Sequence, residues 1–497
     1  MSATRDLPAR PSLEHYRKET RDLLAGAKAG NIEALQRIQQ HHPRYHKTAD
    51  LEEGSGTLGL PDAQLVVARE HGFESWARFS SQIDALAHRS ASTTIWKRAE
   101  RAVIEGDVSM LERLLHEHHD LFGQQPPPFI STGLDAEYST ADARTIVARA
   151  HHFAQWSDFA VCAEAVADRG STTARFESAI DAIIAGDLPT LDALLAGRPD
   201  LVRHRSTRTH HATLLHYLGA NGVEGFRQRT PANAVLIAER LLRAGAEVDA
   251  LADLYGTSTT LGLVATSIHP QRAGLQEALI DVLLVHGARI DHPGAPGHGQ
   301  SIVNGCLANG RHEAAAHLVL RGALLDLEAA AGVGHLDIVM SFFTEDGTLK
   351  PTATAEQLRD GFTWACEYGH TDVVTFLLDH GIQAGARLPR PHGQTGLHWA
   401  AYGGHAETVR VLLAWSAPVD VRDDRFGATP LGWALHGWGE SEHDATRSRY
   451  YEVVALLTAA GAIIPPEWFA DSRGSPLSED VRTDARMLAA LRGTMTV

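Results

Sequence analysis

Cys366 and His370 stand four residues apart, a spacing that on a helix brings a thiol within reach of an imidazole base. The chain carries 29 histidines. Adjacent pairs at His41-His42, His118-His119, His151-His152 and His210-His211 invite a metal reading. Gly54-Ser55-Gly56-Thr57-Leu58-Gly59 fits the glycine pattern of a dinucleotide-binding turn. The histidine and glycine patterns fail their context. Neighbours on a helix point about 100° apart, so an adjacent pair cannot chelate. His116 and His119 do share a face, but zinc needs one or two further ligands and no cysteine cluster supplies them. A histidine near the negative end of a helix is the plainer reading. The glycine pattern needs a strand before it, and Tyr45 to Glu53 is polar without alternation. No G-x-S-x-G elbow, Walker loop or H-E-x-x-H is present. The expectation is a chain with no catalytic residue, no cofactor and no metal.

A second constellation is periodic. Trp364, Trp399 and Trp433 recur at spacings of 35 and 34 residues, and Glu367 and Tyr402 share another recurring place one helical turn on. Gly334-His335, Gly369-His370 and Gly404-His405 keep the 35-residue step. Endings of the form L-L-x-x-G-A close the units, as in Leu241-Leu242-Arg243-Ala244-Gly245-Ala246 and Leu283-Leu284-Val285-His286-Gly287-Ala288. A fixed period of this length means stacked supersecondary units. Within one unit, Thr395 is placed to cap a helix by accepting a backbone N–H. Gly403-Gly404 ends that helix, because glycine tolerates the left-handed turn a C-cap needs. Val409, Leu412 and Leu413 form the apolar stripe of a second helix. No single unit can bury its own apolar face, so neighbours must stack.

The segment Gly393-Gln394-Thr395-Gly396-Leu397-His398-Trp399-Ala400-Ala401-Tyr402-Gly403-Gly404-His405 resembles the ankyrin repeat, whose signature is T-P-L-H-x-A on about 33 residues. The resemblance implies an all-α solenoid with short β-hairpin fingers. His398 is expected to bond a neighbouring turn. Cys366 aligns with Ala401, a packed interior position, and a thiol buried among apolar groups is inert. The three tryptophans fall on the first helix of each unit, and Tyr217 in His216-Tyr217-Leu218 holds the equivalent place. In the family this position lines the concave binding surface. Trp364, Trp399, Trp433, Tyr402, Tyr217 and Glu367 are therefore the candidate partner-binding residues. Aromatic anchors dominate binding hot spots, but an indole also seals a stack against its neighbour. Both readings stay open on sequence alone.

The first third of the chain is a degenerate helical extension. Val67-Ala68-Arg69-Glu70-His71-Gly72-Phe73-Glu74-Ser75-Trp76 reappears 80 residues later as Val147-Ala148-Arg149-Ala150-His151-His152-Phe153-Ala154-Gln155-Trp156. The domain reading is one unit over 1–90, its second copy over 91–170, an ankyrin-type array over 171–465 and a capping segment over 466–497. Residues 1–10 are expected to be disordered. Loops are expected at 44–60, at Pro126-Pro127-Pro128 and at 294–300, with a surface insertion at 437–449. The unit at Gly334-His335 follows Gly310 too closely to carry a finger.

Composition limits the function. Of 497 residues, 45 are basic and 61 acidic, for a formal net charge of -16. That balance argues against nucleic-acid binding, which needs a basic footprint. Three cysteines without paired spacing imply no disulfide framework. With no leader pattern and no spanning apolar run, the expectation is a cytoplasmic monomer without membrane contact. The function expected is a non-enzymatic scaffold or adaptor binding a protein partner. The alternatives are a regulatory or immunity-type partner of a neighbouring enzyme, and a cryptic enzyme in the N-terminal half.

Overall fold

The computed structural model describes residues 13–45, 58–117, 143–220, 223–292, 300–387, 393–441, 444–465, 468 and 479–495. The expectations for 1–10, for Pro126-Pro127-Pro128, for most of 44–60, for the 294–300 turn and for His118-His119 lie outside these residues. The chain divides into two compact units, 1–159 and 160–497.

In the first unit, helices α1 (Leu13–Lys28), α2 (Ile32–His41), α3 (Leu60–Glu70), α4 (Trp76–Glu105), α5 (Val108–Glu117) and α6 (Ala143–Ala150) follow one another. The expected join at residue 90 falls within α4. The duplicated decapeptide yields a duplicated packing. Phe79 is met by His71 at 5.3 Å, Phe73 at 5.3 Å and Trp76 at 5.4 Å between ring centroids. Phe159 is met by His151 at 5.1 Å, Phe153 at 5.8 Å and Trp156 at 5.0 Å. Phe79 and Phe159 lie outside the sequence match, yet each closes the same aromatic knot.

α7 (Trp156–Ala167) leads into the second unit, a succession of helix pairs. α8 (Thr172–Ala185) pairs with α9 (Leu188–Gly197), and a 3-10 turn at Leu214–Leu218 pairs with α10 (Ala234–Arg243). α11 (Thr260–Thr266) and the short α12 (Ile268–Arg272) precede α13 (Gln276–Val285). Then come α14 (Ile302–Ala308) with α15 (His312–Leu320), α16 (Leu327–Gly332) with α17 (Leu336–Ser341), and α18 (Ala355–Tyr368) with α19 (Thr371–Asp379). The array continues through α20 (Gly396–Tyr402), α21 (Ala406–Ala414), α22 (Pro430–Glu440) and α23 (Asp444–Ala459) to α24 (Glu479–Thr483) and α25 (Ala485–Leu491). Leu241, Leu283, Leu318, Leu377 and Leu412 hold one repeat position and are fully buried. Each stabilises the stack by roughly 1.5–3 kcal/mol.

Two expectations are corrected. β-Hairpin fingers are not formed as strands among the described residues. Isolated antiparallel bridges stand at Arg205–Thr213, Ala252–Ser258 and Phe343–Leu349, because each finger is too short to extend a ladder. The stretch 437–449 is not a loop insertion: α22 runs to Glu440 and α23 starts at Asp444, so helix fills most of it. Thr395 is the N-cap of α20, as expected, and shares a capping box with His398. Its backbone N–H and hydroxyl both donate to His398 Nδ1, at 3.1 and 2.9 Å. That frees His398 Nε2–H to donate to the Ala428 carbonyl of the next repeat at 3.3 Å. Thr213, His216 and the Ala250 carbonyl repeat the arrangement at 3.1, 2.8 and 3.0 Å. The turn-bonding role expected of His398 is thus observed.

Candidate functional site

Trp399 on α20 and Trp433 on α22 come together as the period requires. Their ring centroids lie 5.0 Å apart at 72°. Tyr402, one turn beyond Trp399, closes a triangle at 5.7 Å and 79° to Trp433, and at 6.3 Å and 87° to Trp399. All three rings are half-buried. Trp433 is fixed by its indole N–H, which donates to Asp423 at 3.0 Å. Asp423 is itself buried and accepts the backbone N–H groups of Arg425, Phe426 and Ala428. The turn before α22 therefore aims the indole. Tyr402 donates its hydroxyl to Glu440 at 2.9 Å, and His436 stacks on its ring at 6.1 Å. Burial, then the bond to Glu440, then the charges of Glu440 and Glu367 push the Tyr402 phenol well above its ordinary range.

Trp364 holds the same repeat position on α18 in another environment. It is 5% exposed, stacks on Tyr368 at 6.1 Å and donates its indole N–H to Glu328 at 2.9 Å. Tyr217 is 3% exposed, and its hydroxyl donates to Glu224 at 2.7 Å. Glu367 is half-buried on α18. The structure thus brings Trp399, Tyr402 and Trp433 together at the surface and places Trp364 and Tyr217 inside. Cys366 is fully buried, and burial drives its thiol far up, away from the reactive thiolate.

A buried ionic cluster was not legible in the sequence. Arg208 forks onto Glu177, with Nη2 3.2 Å from Oε2, and its Nε stands 3.3 Å from Glu224. Arg227 reaches Glu177 at 2.6 Å and Glu224 at 3.1 Å. His210 approaches Glu224 at 3.5 Å. Burial alone would raise the Glu224 carboxyl. The His210 bond and the charges of Arg208 and Arg227 outweigh that and hold it at about 2. Both arginines are pushed up in turn by Glu224 and Glu177 against the opposing effect of burial. The cluster pins the long connection between the 3-10 turn and α10 to α8. Asp181 adds a third carboxylate 3.6 Å from Arg227 at its exposed edge. The sequence signal was Glu177 among apolar residues of α8, but the rest of the cluster comes from two other segments. Among the described residues, no group of three or more His, Cys, Asp or Glu is disposed to hold a metal ion. No described helix is long and apolar enough to cross a membrane.

Stacked helix pairs with an aromatic patch on the first helices define a repeat solenoid. Residues 327–425 and 362–465 match the family model of ankyrin repeats, and this part of the chain is built of ankyrin repeats. Among curated proteins it is 34% identical over 114 residues to the palmitoyltransferase Hip14 of Drosophila melanogaster, covering 22% of this chain and 16% of that protein. It is 38% identical over 65 residues to inversin of Danio rerio, covering 13% of this chain and 6% of that one. The matches thus span a small fraction of either relative. Among solved structures, the human ASB11 ankyrin repeat domain aligns at 20% identity and a TM-score of 0.28, over 58% of this chain and 98% of that one. Ankyrin repeats in general mediate protein–protein interaction.

Proposed function

We propose that this protein is a non-enzymatic interaction scaffold whose partner docks on the first-helix, concave face of the array at Trp399, Tyr402 and Trp433, with Glu367 on the rim. The half-buried triangle of rings carries this reading. A residue that serves only the core is sealed, as Trp364 is at 5% exposure, whereas these rings keep part of their surface in water although indole is costly to leave there. Rigid aromatic groups with polar tips are the usual anchors of protein interfaces. The test is a quantitative pull-down from the native host with the wild-type chain and a Trp399→Ala/Tyr402→Ala variant, each with a melting curve. The expected result is a specific partner lost by the variant while its melting temperature stays within a few degrees. A variant that keeps every partner, or that unfolds, returns these rings to the core.

A further inference from the structure

The rings of the aromatic triangle stand at 72°, 79° and 87° to one another. No direction lies in all three of such planes, so a group approaching from any side meets the face of at least one ring. Aromatic faces are the negative ends of the ring quadrupole and attract cations within about 6 Å of the centroid. With centroids 5.0, 5.7 and 6.3 Å apart, one cation seated over the triangle falls within that reach of all three.

Carboxylates border the triangle. Glu440 is 55% exposed, receives the Tyr402 hydroxyl on Oε2 and holds Oε1 3.4 Å from His436. A carboxylate has about four acceptor sites, so Glu440 can take further donors. Glu367 lies one repeat earlier at the place Tyr402 occupies, and Glu328, another first-helix residue, accepts from Trp364. The nearby Arg447 is already engaged: its guanidinium lies over the Trp438 ring at 4.8 Å and its Nε–H donates to the Ser441 carbonyl at 3.0 Å.

Resting on the interaction reading above, we infer that the Trp399–Tyr402–Trp433 corner, with Glu440 at its edge, is a receptor for an arginine-bearing segment of a protein partner. Arginine fits better than lysine. Its flat guanidinium stacks on an aromatic face while its fork still pairs with a carboxylate, and it is shed from water more readily than an ammonium. The chain's net charge of -16 favours the approach of such a segment.

The test is a selection of random twelve-residue peptides on phage against the full-length chain, repeated on Glu440→Gln and Trp433→Phe variants. The expected outcome is a recovered set enriched in arginine. A selected peptide should bind at least tenfold more weakly when its arginine becomes citrulline, which keeps the shape and removes the charge. Glu440→Gln should shrink that ratio severalfold, and Trp415→Phe, on an exposed indole elsewhere, should leave it unchanged. Peptides that need Trp399 or Trp433 but bind equally with citrulline would overturn the arginine inference and leave the interaction surface standing. Peptides indifferent to all the corner residues would overturn both.

Discussion

The imidazole Nε2–H of His405 donates to the backbone carbonyl of Glu367 at 2.8 Å, across the boundary between one helix pair and the next. His370 does the same for Gly332 at 3.0 Å, Tyr368 for Leu307 at 2.7 Å and Tyr450 for Tyr402 at 2.7 Å. Carbonyls at a helix C-terminus have no partner within their own helix. Here each is satisfied by a side chain of a following repeat. Gly369 makes room for this: it sits at φ +76°, and a β-carbon there would collide with the His405 ring. The repeated Gly-His pair is thus a coupling between neighbours as well as a turn.

His405→Ala is expected to cost about 1–3 kcal/mol, because it strips a part-buried helix-end carbonyl of its donor. Native-state hydrogen exchange should show α20 and α21 opening more readily while α8 and α9 are unaffected, as nearest-neighbour stability requires. Uniform exchange across the array would contradict this coupling.

The stack should weaken in mild acid. Burial lowers His216 and His405 to about 4, and lowers His370 and His398 as well. The unfolded chain titrates near the ordinary histidine value of about 6.5 and so binds more protons between the two values. The stability these groups supply is full above about 6.5 and is lost as pH falls toward 4. His216 alone accounts for about 3 kcal/mol at the lower limit, at about 1.36 kcal/mol per unit. Urea midpoints for wild type and His216→Gln should converge as pH drops from 7.5 to 4.5. Parallel curves would contradict the assignment.

Glu224→Gln leaves Arg208 and Arg227 short of a counter-charge in a buried site, a change expected to cost about 3–5 kcal/mol. The carboxyl is held at about 2, so the wild-type cluster should persist through the histidine transition and yield only as pH falls below about 4.5 toward 2. Thermal melts of both proteins at pH 7 check the first statement, and amide exchange of 223–233 at pH 5 checks the second.

Trp364→Ala should cost about 3–5 kcal/mol as a buried aromatic truncation, and Trp399→Ala clearly less. Chemical unfolding of the two variants side by side measures the order. Equal losses would mean that Trp399 serves the core as fully as Trp364.

Much of this was readable in the chain. The 35-residue step of Gly334, Gly369 and Gly404 fixes where helices turn, because a left-handed glycine is a local property of the backbone. Leu412 and its counterparts mark the buried stripe by period alone. The same period placed Trp364, Trp399 and Trp433 on first helices. It could not separate them, because burial depends on what the adjoining repeats present: Tyr368 and Glu328 enclose Trp364, while Asp423 and Tyr402 hold Trp433 and Trp399 half-open. The ionic cluster was wholly a tertiary outcome. Glu177, Arg208 and the Glu224–Arg227 turn come from three separate segments, and a buried charge is tolerable only where folding delivers its counter-charge. Repeat architecture follows from local spacing; which side chains the stack seals and which it leaves to water follows only from the packing of one repeat on the next.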